Sequence, residues 1–207
     1  MKISVHRGLA ELKLLNSRID KDISKLDPIG RYKLSQDKII GTTDNKKEFE
    51  GKAKSTYNSI KDLIIRRDKI KRAIVLSNAI TKVKIANVEY TVAEAIEKKD
   101  SIAFEQNLLE RLQTRKRFIT NVFTSEMQDM ERNLEEQIKI ISGNAKENNV
   151  EYVKAFSEGY KKRNGYEIVD PLEIDKEIER LEKYVEDFTA EVDAVLSEIN
   201  ATTFIDV

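Results

Sequence analysis

IDKEIERLEKYVEDFTAEVDAVLSEI, residues 174–199, decides the fold. Ile174, Ile178, Leu181, Val185, Phe188, Val192, Val195 and Ile199 follow one another at steps of 4, 3, 4, 3, 4, 3 and 4. That spacing puts them on one stripe of a helix, and sustained over about four repeats it is the seam of a coiled coil. A helix with such a seam needs something to cover it. The reading is an all-α protein of long antiparallel helical hairpins or a bundle, with a coiled-coil-like C-terminal helix over residues 172–200.

The same period recurs upstream. Leu9, Leu12, Leu15, Ile19, Ile23 and Leu26 predict a helix over 4–26, stopped by Pro28 and Gly30. Residues 28–45 read as an irregular connector broken by Gly41, in which Leu34, Ile39 and Ile40 offer a short strand or docked segment. A helix over 46–78 follows, roughly nine turns long, with Phe49, Ala53, Tyr57, Ile60, Ile64, Ile70 and Ile74 as its apolar row. Between 82 and 91 the period changes to two: Val83, Ile85, Val88 and Tyr90 alternate with Lys84 and Glu89 around Ala86-Asn87, a small β-hairpin insertion. Thr91-Val-Ala-Glu94 is a capping box and opens a short helix over 91–99. A helix over 101–142 is expected to bury Phe104, Leu108, Leu112, Ile119, Phe123, Met127, Met130, Leu134, Ile138 and Ile141. Residues 143–171 hold Asn148-Asn149, Gly159, Asn164-Gly165 and Pro171 and read as irregular or a short helix, extended over Tyr166 to Val169. The 207 residues are read as a single helical domain.

Lys plus Arg and Asp plus Glu both number 37, so no net field attracts a polyanion, and bulk nucleic-acid coating is excluded. A chain 36% charged and 40% apolar suits long amphipathic helices with solvated outer faces. With no cysteine there is no disulfide framework, thiol nucleophile or cysteine metal site. His6, Arg7, Glu11 and Lys13 interrupt the N-terminal apolar text, unlike a signal peptide, and no stretch reaches the roughly 20 apolar residues of a membrane span. The expected location is the cytoplasm.

His6 is the sole histidine and has no sequence neighbours for a triad or zinc site. Carboxylates four apart, such as Glu173 and Glu177, are the ordinary furniture of a solvated helix face. P-loop, GxGxxG and HExxH motifs are absent. The expectation is a protein that is not an enzyme, with no metal and no cofactor. Its charge is uneven, however. Between Lys61 and Tyr90 eight cations face three acids, and from Glu167 to Val207 thirteen acids face three cations. Such faces can pair with each other or simply meet water. They can also form an anion site. It would draw on Arg66, Lys71, Arg72, Asn78, Thr81 and Lys84, with the helix N-terminus at Thr91 supplying a favourable dipole and Arg111 and Arg115 a second wall. Tyr57, Tyr90 and Phe104 are candidate stacking surfaces.

Arg72-Ala-Ile-Val-Leu-Ser-Asn78-Ala-Ile-Thr81, Tyr90-Thr91-Val-Ala-Glu94-Ala-Ile-Glu-Lys-Lys-Asp100 and Glu191-Val-Asp193-Ala-Val-Leu196-Ser-Glu198-Ile-Asn200 resemble the septicolysin-like family of small helical proteins. That family often ends its last helix with Asn-Trp, whereas Asn200 is followed here by Ala201. The resemblance implies a self-associating helical hairpin bundle with a small β insertion, and no reaction. The Lys-, Asn- and Ile-rich text is also similar in style to phage and low-GC bacterial proteins. Two function classes follow. The first is a non-enzymatic homo-oligomer, joined through the Ile174–Ile199 helix, that binds a small anionic, nucleotide-derived ligand in a basic pocket between subunits. In a phage it would sequester a host immune signal in the host cytoplasm. The second is a structural or adaptor protein of a larger assembly, such as a virion component.

Overall fold

Helix carries most of the chain, as its period of 3.6 requires. The computed structural model describes residues 1–144 and 150–207. The helices are α1 (Val5–Ser24), α2 (Lys46–Ile80), α3 (Val92–Ser101), α4 (Ala103–Asn144), α5 (Val150–Asn164) and α6 (Ile174–Thr202). Two antiparallel strand pairs complete the fold: β1 (Lys2–Ser4) with β4 (Phe204–Asp206), and β2 (Lys82–Ile85) with β3 (Val88–Thr91). The fold is all-α with a small β-hairpin. It divides into two compact units, residues 1–100 with 187–207, and residues 101–186.

In the first unit α1 runs antiparallel to α2, with Gly8 against Ile70 and Ile74, Glu11 at Arg66 and Asn16 at Arg67. The Ser4 hydroxyl caps α1 by accepting from the Arg7 N–H, and Asn45 with Glu48 forms a capping box at the start of α2. Ile3, Val5, Leu15, Ile19, Ile70, Ile74, Ile205 and Val207 form the buried cluster. Each such aliphatic side chain contributes roughly 1.5 to 3 kcal/mol. One partner helix covers only a narrow seam, which runs through Val5, Gly8, Leu12, Leu15 and Ile19. Leu9 and Ile23, expected on that stripe, flank it and face solvent; Tyr57 and Ile64 likewise lie at the margin of the α2 row. In the connector Ile39 is buried and bridges to Tyr32, whereas Leu34 and Ile40 are exposed.

The hairpin pairs Ile85 with Val88 across Ala86 (φ 50°) and Asn87 (φ 64°), the left-handed pair of a type I′ turn. Its tip is tied to α6, where the Glu191 carboxylate accepts from the Ala86 N–H at 2.8 Å. Tyr90 meets Phe188 edge-on at 6.0 Å, and Lys99 pairs with Asp193 at 2.5 Å. Phe188 and Val192 are buried.

In the second unit α4 presents Met130 and Leu134 as buried residues, with Leu112, Ile119, Phe123, Met127, Ile138 and Ile141 half-buried in the same row. Phe104 and Leu108 depart from expectation: both are exposed, and Leu109 takes the inward position. Within the stretch read as irregular or a short helix, residues 150–164 are helical as α5, which packs on α4. Asn148-Asn149 lies outside the described residues. After α5 the chain has no regular secondary structure over 165–170, and both oxygens of the Asp170 carboxylate accept from the Ile174 N–H at the start of α6. Leu181 is buried, and Ile174, Ile178 and Val185 are half-buried. Along its whole length the α6 seam is therefore buried or half-buried within the chain. Among the described residues no helix is long and apolar enough to cross a membrane.

Candidate docking surface

The residues expected to hold an anion divide between the two units. Arg66 sits mid-way along α2, where its Nε and Nη2 donate to the two Glu11 carboxylate oxygens at 2.9 and 3.3 Å. This planar fork already has its carboxylate. Lys71 and Arg72 face solvent on α2, and Asn78 is half-buried one turn before its end. Thr81 terminates α2, its N–H donating to the Ser77 carbonyl and its carbonyl accepting from the Val92 N–H at 2.8 Å. Lys84 is exposed on β2, in register with Glu89. Arg111 and Arg115 lie on α4, in the other unit.

Thr91 forms its predicted capping box with a consequence for the anion site. One Glu94 carboxylate oxygen accepts from both the Thr91 N–H at 2.7 Å and the Thr91 hydroxyl at 2.9 Å, while that hydroxyl accepts from the Glu94 N–H at 3.2 Å. The Thr91 backbone N–H, then its hydroxyl, hold the Glu94 carboxyl below its ordinary value. The anion at this helix N-terminus is the chain's own. Of the stacking candidates, Tyr57 is exposed beneath the Lys61 ammonium, Tyr90 packs on Phe188, and Phe104 is 75% exposed. His6 is exposed on the first turn of α1.

The surface that sequence reasoning missed is on α4. Phe104, Leu108, Arg111, Arg115, Phe118 and Val122 recur at steps of 4, 3, 4, 3 and 4 and share one face of the helix. All six are exposed; Phe104 is 75% and Phe118 53% accessible. The signal was present as doublets. Leu108-Leu109, Phe118-Ile119 and Val122-Phe123 each give one residue to this outward row and one to the inward row. The Arg115 guanidinium lies over the Phe118 ring at 5.0 Å. Among the described residues neither Arg111 nor Arg115 has a carboxylate partner, and Lys116 beside them is paired with Asp175.

A cavity of about 580 Å³ adjoins this row between α4, the segment that follows α5 and the start of α6. Arg115 and Val122 belong to both row and cavity, which continues over Phe123, Tyr166, Ile168 and Leu172. The result is a ridge of apolar side chains centred on two arginines, running into a groove whose apolar lining is edged by Glu126, Glu167, Asp170 and Asp175. Comparison with family models, curated proteins and solved structures finds no match to the chain.

Proposed function

We propose that this protein is a structural or adaptor subunit of a larger protein assembly, which seats a partner on the outward face of α4. The observation that carries the reading is the row from Phe104 to Val122, residues at coiled-coil spacing that are exposed among the described residues, continuous with the adjoining groove. The α6 seam is the poorer interface, because Leu181, Phe188 and Val192 are already buried by the chain itself. The basic-pocket reading has less behind it, since Arg66 is paired with Glu11 and the α3 N-terminus holds Glu94.

A photoreactive amino acid at position 118, incorporated in the cell that makes the protein, tests this. Discrete protein adducts are expected from position 118 and none from position 139, an exposed lysine elsewhere on α4. No adduct at 118, together with a small anion retained in native mass spectrometry and lost on Lys71→Ala with Arg72→Ala, would overturn it in favour of a ligand-binding protein.

A further inference from the structure

Resting on that adaptor reading, we infer that the occupant of the α4 row is an acidic amphipathic helix of another protein, with apolar residues at heptad spacing flanked by Glu or Asp. The spacing defines the shape of the partner. Six residues at steps of 4, 3, 4, 3 and 4 present about five turns, roughly 27 Å, of seam, which a second helix fills by knobs-into-holes packing. The charge defines its chemistry. From Phe104 to Val122 the cations are Arg111, Arg115, Lys116 and Arg117, and the acids are Glu105 and Glu110, neither of which is one of the six residues of the row. Lys116 is neutralised by Asp175, which leaves Arg111 and Arg115 in the seam itself without carboxylates among the described residues. Arg115 is also held in place by its stacking on Phe118. A guanidinium so placed forms a bidentate pair with an incoming carboxylate.

The same two arginines exclude the obvious alternative, a second copy of this row. In an antiparallel pairing about the row's centre Arg111 would face Arg115 of the other copy, and in a parallel pairing each arginine would face itself. Both juxtapose like charges in a desolvating seam. The acidic α6 is no better a partner, because none of its large apolar residues is exposed to interdigitate with the row. A bare polyanion such as RNA would use the arginines but leave Phe104, Leu108, Phe118 and Val122 in water.

The test uses the full chain and a fluorescent three-heptad peptide with Leu at its a and d positions and Glu at e and g. Its own charges keep it from pairing with itself. In fluorescence anisotropy this peptide should bind at least about tenfold more tightly than its counterpart with Lys at e and g, and added salt should erode the difference. Arg111→Glu with Arg115→Glu should reverse the preference, and Phe104→Ser with Phe118→Ser should weaken both peptides. Equal binding of the two peptides overturns the inference, as does binding of single-stranded oligouridine that survives the serine substitutions. So does a wild-type dimer in light scattering that the serine variant dissociates. Should a variant melt early, the salt dependence and peptide preference of the wild type still decide. If adducts form at position 118 in cells while the peptides show no preference, the adaptor role stands and the acidic partner falls.

Discussion

Gly8 marks the closest approach of α1 to α2. A Cβ there would lie 3.3 Å from the terminal carbons of Ile74 and Ile205 and 3.5 Å from Ile70, tight for one carbon and too tight for a branched side chain. Gly8→Val should cost about 1 to 3 kcal/mol by overpacking, read as a lower urea midpoint at unchanged slope. Ala86 errs in the opposite direction, holding a left-handed φ of 50° with a Cβ. Ala86→Gly should stabilise by roughly 0.5 to 1 kcal/mol in thermal melts, since the bond to Glu191 uses only the backbone N–H. Thr91→Ala should cost about 1 kcal/mol through the lost cap. Glu94 adds a pH dependence with a definite sign. Its folded pKa is lowered, so its contribution is fully present above about 4.5 and is lost as pH falls through the folded value. The melting-temperature gap between wild type and Glu94→Gln should therefore be widest near neutral pH and close below 4.5. Turn and cap were legible because their chemistry is local. That Glu94 would itself fill the anion position was implicit in the same box, yet a capping carboxylate and a ligand compete for the same amide.

At the scale of elements, the period of 3.6 located the long helices to within a few residues. It decided less where breakers intervened or signals were short. Gly159 and Asn164-Gly165 left the stretch open between irregular structure and a short helix; Gly159 lies inside α5 and Gly165 ends it, where a Cβ would meet the Lys161 carbonyl oxygen at 2.5 Å. β1 and β4 have three residues each, too few for a pattern to stand out, although Ile205 and Val207 alternate with Phe204 and Asp206 and are buried as that alternation requires. The α6 seam yields a prediction about folding rather than association. Val192→Glu places a charge at a buried position and should destabilise by several kcal/mol, collapsing the cooperative melt instead of releasing intact monomers.

For the whole molecule, apolar periodicity reports that a row must be covered but does not say by what. On α6 the chain covers its own row. On α4 two rows share one helix, and the inward one takes Leu109, Leu112, Ile119 and Phe123 while Phe104, Leu108, Phe118 and Val122 are left outside. Ten core positions assigned to a single row could not distinguish these, which is why the docking surface was overlooked and the anion site favoured. Because Phe104 and Phe118 are exposed, Phe104→Ser with Phe118→Ser should leave stability within about 0.5 kcal/mol of wild type while lowering the binding of an apolar fluorescent dye. A large loss of stability would mean that the row is structural.

The first unit is discontinuous in sequence, and its buried cluster includes both Ile3 with Val5 and Ile205 with Val207. During synthesis, at roughly 5 to 20 residues per second, α1 and α2 emerge early but their shared core stays open until the strand at Phe204–Asp206 leaves the ribosome. The intervening residues 101–186 form one uninterrupted stretch of sequence. Closing the β1–β4 pair across about two hundred residues completes this cluster, at an entropic cost that grows only slowly with the length of the loop it closes.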